Sequence, residues 1–228
     1  MIIRGGSEVV DVIFLGRGGE GAFTSSRILG IAASLYEHAY ALSFPSFGPE
    51  RRGAPVFAYT KINSEPIRDR SQSNTCDYFV ILNESLYSEG LLSKLKEGGK
   101  LIINTSHPEK YIDDRIIPFE AIRLANEYLG RPIVNTAMLA ALTIQSNLVS
   151  IESLEKAIQY DLSPKLAEKN KKLIEVIRES MVLGRNTKLS QITERSVLGE
   201  KDRLVDGIEN LEIMYEKTND LGGGEKHG

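Results

Sequence analysis

The stretch that most restricts how this chain can fold is "VVDVIFLGRGGEGAFTSSRILGIAASLYEH", residues 9–38. An apolar run at 9–15 meets the glycine-rich "GRGGEG" at 16–21, and apolar residues then recur at 28, 29, 32, 35 and 36. A short, nearly continuous apolar run reads as a strand buried on both faces. The later spacing is one stripe of a helix. Strand, glycine loop and helix in immediate succession open an α/β layer structure and leave little room for an all-β or all-α alternative.

The rest of the chain continues that alternation. Further strand-like runs are "YALSF" (40–44), "PVFAYTKI" (55–62), "YFVIL" (78–82) and "KLIINT" (100–105). "ESLYSEGLLSKLKEGG" reads as a helix stopped by Gly98 and Gly99. Beyond residue 118 helices dominate, in "PFEAIRLANEYLG", "NTAMLAALTIQSN", "SIESLEKAIQY" and "SPKLAEKNKKLIEVIRES". The expected architecture is α/β, a doubly wound, mainly parallel sheet of the Rossmann-like three-layer type. It is expected to span 1–184. Residues 185–228 form a polar, charged extension in which Leu204, Ile208, Leu211 and Tyr215 keep a helical spacing ahead of the tail "LGGGEKHG", for which disorder is expected.

Bulk properties narrow the function. A net charge of −3 and 41% apolar residues describe an ordinary globular chain with no basic field for nucleic acid. No run reaches the roughly 18 apolar residues of a membrane span, and "MIIRGGSEVV" holds too short an apolar stretch for a signal peptide, so a cytoplasmic location is expected. The single cysteine, Cys76, excludes an intrachain disulfide framework and any all-cysteine iron–sulfur or zinc site built from this chain alone. Cys76 is expected to be a small buried residue. His38 and His107 stand apart without metal-ligand spacing and read as surface residues. No Ser, His and Asp occur in a supporting order for hydrolase chemistry.

Gly16, Gly18 and Gly21 satisfy G-x-G-x-x-G in the right strand–helix context, so one reading is a dinucleotide fingerprint. Glycines let the backbone approach a phosphate, and the following helix N-terminus offers free N–H groups. That fingerprint also needs an acid closing the second strand. The nearest, Glu37, precedes the run 40–44 instead. A helix terminus contributes only about 0.3–1 kcal/mol toward holding an anion, against the roughly 8 kcal/mol of micromolar binding. A tight turn that packs strand on helix is the alternative, although Arg17 and Glu20 add polar reach that packing does not need.

A second loop, "SFPSFGPERRGAP" at 43–55, is stiffened by Pro45, Pro49 and Pro55 around Glu50, Arg51 and Arg52. A guanidinium fork suits a phosphate or a partner's carboxylate, so these three residues are candidates for an interface or a ligand. Asn135 and Thr136 open a helix and are good N-cap types; ligand contact is their other reading.

Taken together, "GRGGEG", "FGPERRGAPV", "EPIRDRSQSNTCDYFVIL" and "NTAMLAAL" resemble the gamma subunit of the 2-oxoacid:ferredoxin (or acceptor) oxidoreductases, the pyruvate and ketoisovalerate oxidoreductase group, over roughly residues 9–180. That family's loop usually reads Gly-Arg-Gly-Gly-Gln-Gly, so Glu20 replaces an amide with an acceptor-only carboxylate. Cys76 stands where the family more often has Pro. The resemblance implies a component of a hetero-oligomer that converts a 2-oxoacid to acyl-coenzyme A and passes electrons to ferredoxin or another acceptor. Alpha-, beta- and delta-type chains would be its partners, carrying thiamine diphosphate, Mg and the iron–sulfur clusters. For this chain it implies no catalytic residue. It points to Gly16, Arg17, Gly18, Gly19, Glu20, Gly21, Asn135 and Thr136 as residues near coenzyme A or at a subunit contact. An independent NAD(P)-binding oxidoreductase and a pure docking module are the alternative readings.

Overall fold

The computed structural model describes residues 8–46 and 53–181, all within one compact unit, Met1–Met181. Glu50, Arg51 and Arg52 lie outside the described residues, as does the whole extension with its expected amphipathic stripe.

Six strands form one sheet: β1 (Val10–Arg17), β2 (Tyr40–Pro45), β3 (Pro55–Asn63), β4 (Cys76–Ile81), β5 (Leu95–Asn104) and β6 (Ile116–Phe119). Their order across the sheet is β2-β3-β1-β4-β5-β6. β1, β4, β5 and β6 pair in parallel, and β3 lies antiparallel to both β1 and β2. Since β2 is antiparallel to β3, it runs in the direction of β1. Only β3 is reversed, so the sheet is mainly parallel, as the apolar runs suggest. The chain leaves β1 through α1 (Ala22–Ile31) to the outer strand β2, and β3 then inserts between them.

Side-chain alternation along each strand separates two cores. Val12, Phe14, Val80, Leu82 and Ile102 face the helical layer. That layer is made of α1, α2 (Ala121–Leu129), α3 (Asn135–Ser146), α4 (Ile151–Asp161) and α5, helical over 164–181. Ile13, Leu15, Phe79, Ile81, Leu101 and Ile103 face the other side. There the cover comes from Leu86, Tyr87, Leu91, Leu92 and Tyr111. The expected helix at 84–99 is not formed. Its residues make two 3-10 segments, Glu84–Leu86 and Glu89–Lys94, and then the start of β5, where Leu95 already pairs with Cys76. Ser88 and Gly90 interrupt the run, leaving each piece too short for a stable α-helix. The α/β class therefore stands, with one helical face and one face closed by short turns.

Two other departures have local causes. The stripe read through 28, 29, 32, 35 and 36 holds for Ile28, Leu29 and Ala32, which are buried, and for Tyr36, which packs partly buried against the same core, but Leu35 is exposed. The helix ends in a π-turn, Ala32–Tyr36, with Glu37 N–H donating to Ala32 O at 3.2 Å, and that wider turn rotates Leu35 off the core face. β6 escapes sequence reading because it has four residues and contains Pro118, which an edge strand tolerates. Within the helical layer, Ser26 of α1 donates to Tyr59 O at 2.7 Å, and Thr60 and Ser43 donate to Ser26 O at 2.9 and 2.8 Å. This polar seam explains why "TSS" sits in a buried helix. Gly30 lets the helix approach closely, since a Cβ there would run into Ser43 Oγ.

Candidate functional site

The glycine loop lies at the C-terminal end of β1, where the chain first departs toward β2 and β3 and later returns to β4 on the opposite side. Crevices at such a switch point, outside the carboxyl ends of parallel strands, are where open α/β sheets bind ligands. Gly16 and Arg17 still belong to β1, paired with Val56 and Pro55. The chain then turns through Gly18 and Gly19, with Glu20 N–H donating to Arg17 O at 2.9 Å. Gly21, at φ +86°, is the N-cap of α1. A Cβ at this glycine would lie 2.7 Å from Asn135 Nδ2. Both its left-handed backbone and its close neighbour require glycine.

The loop's two charges are spent on holding the loop. One oxygen of Glu20 accepts the Arg17 N–H at 2.6 Å, and the other accepts Asn83 Nδ2 at 2.6 Å. The Arg17 guanidinium donates to Gly53 O at 3.0 Å and to Ser85 Oγ at 2.8 Å. Gly18 and the start of β3 exchange backbone bonds, Gly18 N–H to Ala54 O at 2.8 Å and Gly53 N–H to Gly18 O at 3.3 Å. Asn83 Oδ1 in turn accepts from the backbone and hydroxyl of Ser85. The side chains of residues 17 and 20 thus bridge the β1–β4 crevice. A carboxylate suits position 20 because both groups that face it are donors.

What stays open is the other side of the loop, a cleft of about 270 Å³ lined by Arg17, Gly18, Gly19, Gly21, Val56 and the first turn of α1. That helix has no side-chain cap and no acid in its first turn, so its N–H groups and dipole favour an anion. The volume falls below the roughly 300–1,000 Å³ of pockets that take a whole drug-sized ligand, and suits a phosphate or carboxylate group.

The other sequence candidates divide. Asn135 packs against Gly21, and its carbonyl accepts Ser25 Oγ at 3.2 Å, so it braces the loop from behind. Thr136 is buried and donates to Asn170 of α5 at 2.5 Å, away from the cleft. Neither residue is the N-cap of α3. That position is Val134, no side chain caps the helix, and Asn135 is its first residue. Asn83 and Ser85 are absent from the sequence candidates: Ser85 lies in the stretch read as a helix at 84–99, and Asn83 falls between that stretch and the strand run 78–82; the available signal is an Asn directly after an apolar strand. Glu37, the acid nearest to a ribose-binding position, accepts Ser150 N–H at 2.8 Å, at the start of α4. Burial opposes its ionisation, but bonds from Ser150 and Ser153 hold its carboxyl below the usual value. Because β3 separates β1 from β2, an acid near β2 does not adjoin the loop, which weighs against dinucleotide binding in the Rossmann manner.

Histidines 38 and 107 are exposed, and the His107 ring lies 3.4 Å from Glu109. Cys76 is fully buried, and burial, with Asp77 and Asp11 nearby, pushes its thiol up to about 12. Among the described residues no group of three His, Cys, Asp or Glu is placed to hold a metal ion, and no helix is long and apolar enough to cross a membrane.

A glycine loop braced across the switch point of a sheet with one reversed strand defines an α/β domain that offers a small anion-favouring cleft. Comparison with known proteins makes the class specific. The profile of the family described as pyruvate ferredoxin/flavodoxin oxidoreductase matches residues 11–180. The chain is similar to pyruvate synthase subunit PorC of Methanothermobacter marburgensis, 43% identical over 174 residues, which is 76% of this chain and 98% of that one. It is also similar to the pyruvate/ketoisovalerate oxidoreductases common subunit gamma of Pyrococcus furiosus, 41% identical over 71% of this chain and 91% of that one. Among solved structures, the PORC subunit of pyruvate oxidoreductase from Thermotoga maritima superposes with a TM-score of 0.66 at 29% identity, covering 75% of this chain and 96% of that one. The chain belongs to the pyruvate ferredoxin/flavodoxin oxidoreductase family.

Proposed function

We propose that this chain is the gamma component of a multi-subunit 2-oxoacid oxidoreductase. That enzyme converts a 2-oxoacid and coenzyme A to acyl-coenzyme A and carbon dioxide, passing two electrons to ferredoxin or another acceptor. The observation that carries this reading is coextension. Matched stretches of 174 and 170 residues account for 98% and 91% of two relatives that are themselves named as subunits. Alpha-, beta- and delta-type chains are the proposed partners. They hold the thiamine diphosphate with its Mg and the iron–sulfur clusters, and the assembly works in the cytoplasm.

The glycine-loop end of the sheet is the surface turned toward those partners. Its side-chain charges are already satisfied within the chain, which supports a rigid contact surface over a reaction centre. The α1 N-terminus within it is placed to meet a phosphate of coenzyme A or a carboxylate of a partner chain. Affinity purification of the tagged chain from its native host tests the assignment. Co-elution with larger chains whose absorbance and metal content report iron–sulfur clusters is the expected result; recovery of this chain alone at physiological concentration contradicts it.

A further inference from the structure

The opposite end of β1 holds a second cavity, of about 440 Å³, bounded by Asp11, Lys61, Asn63 and the 65–69 stretch of the connection between β3 and β4. It is roughly 20 Å from the glycine loop, at about 3.3 Å of rise per residue along the strand. Asp11, Lys61 and Asn63 share the sheet face that carries Ile13 and Tyr59, because residues two apart on a strand point the same way. At this end of the sheet the apolar row gives way to charge.

Its donors and acceptors are unevenly used. Asp11 is engaged on both oxygens, by Lys96 at 3.0 Å and by Ser73. Asp69 accepts from Lys61 at 2.7 Å and from Ser71 N–H at 2.9 Å. A third carboxylate, Glu65, also lines the cavity without a partner among the described residues, and several of the donors are incompletely used as well. Lys61 is only 4% exposed, and Asp69 is its sole side-chain partner among the described residues. Asn63 uses its oxygen to accept Ser64 N–H, while its Nδ2 donates to no described residue. The Arg68 guanidinium has no hydrogen-bond or ion-pair partner among them. A buried ammonium must keep a counterion, yet the one it has is a side chain 66% exposed to solvent on a connecting segment. Because Asp69 is exposed, a soluble carboxylate or phosphate can reach the same ammonium in its place.

We propose that this cavity is a second ligand site, for a small organic anion bearing a carboxylate or phosphate, bound by Lys61, Asn63 and Arg68. Asp69 occupies the anion's place when no ligand is bound. The site lies at the opposite end of β1 from the glycine loop and shares no lining residue with its cleft. The connection that closes it, residues 64–75, leads directly into β4 and is tied to β1 and β5 through Ser73, Asp11 and Lys96.

Calorimetric titration of the full-length chain with inorganic phosphate and, separately, with succinate, at constant ionic strength, tests the assignment and tells the two anion types apart. At least one anion is expected to bind saturably. Asp69→Asn removes the internal competitor and is expected to tighten binding about tenfold, the equivalent of one good charge-assisted bond. Arg68→Gln, an exposed change that leaves folding intact, is expected to weaken it several-fold. Lys61→Met is expected to abolish it. Failure of both anions to saturate the wild type and Asp69→Asn overturns the proposal. So does binding whose affinity is the same in wild type, Asp69→Asn and Arg68→Gln, since the anion is then held elsewhere.

Discussion

Gly19 and Gly21 illustrate how little of a glycine motif is explained by glycine content alone. Both have positive φ, +96° and +86°, but a side chain at Gly19 would meet open space while one at Gly21 would strike Asn135. Gly19→Ala is expected to cost about 1 kcal/mol in backbone strain, and Gly21→Ala about 2–3 kcal/mol once the collision is added. Urea denaturation of the two variants checks the difference, and equal costs would contradict the packing described for α3. Glu20 sits between two donors, so Glu20→Gln turns its NH₂ toward one of them and is expected to cost about 1–2 kcal/mol. Cys76 gives a pH-dependent prediction. Its raised thiol pKa keeps it protonated in the folded chain, so alkylation at pH 8 is expected to be at least about a hundredfold slower than in denaturant. The sign is fixed by the direction of the shift. The stability gained from the buried thiol is present below the ordinary thiol pKa and is lost as pH rises toward 12. Rapid labelling of the folded chain at pH 8 would show that this environment is wrongly described.

At the scale of elements, the chain is held at its two ends by different chemistry. At the carboxyl end of the strands, Asn104 donates to Leu82 O at 2.9 Å and accepts Ala121 N–H at 3.1 Å, joining β5, β4 and α2. At the amino end, Lys96 bridges Asp11 at 3.0 Å and Asp77 at 2.8 Å and also donates to Val9 O. Lys96→Met leaves two neighbouring carboxylates without their shared cation. The expected loss is about 2 kcal/mol, discounted from the fully buried case because the groups are partly solvated. Burial lowers the Lys96 pKa, but Asp77 and Asp11 more than offset this and raise it. The bridge therefore stabilises below the ordinary lysine pKa and is lost as pH rises through the raised one; the gap between wild type and variant in denaturation curves is expected to be full at pH 7 and to narrow as pH is raised beyond the ordinary lysine value. Elements with strong periodicity or continuous apolar runs, such as β1, β4 and α4, were legible in the sequence. The segment 84–99 was not. Its apolar residues suit a helix, yet Leu95 is claimed by strand pairing with Cys76, a contact of long sequence separation that no local window contains.

For the whole molecule, the same limit applies to the site. The glycine loop could be located from 9–38, but that its charges face inward depends on Asn83, Ser85 and Gly53 arriving from β4 and the start of β3. Position in the sheet then decides function more than motif does, since β3 displaces β2 from β1 and removes the neighbour that a dinucleotide site would use. What is left is a braced surface with a small anion cleft, on a domain coextensive with subunits of a larger enzyme. The most direct measurement is an omission and add-back assay of the assembled oxidoreductase, following 2-oxoacid- and coenzyme A-dependent reduction of ferredoxin or a viologen dye. Activity that is lost when this chain is left out and restored when it is returned is the predicted result; full activity of the remaining chains without it contradicts the account.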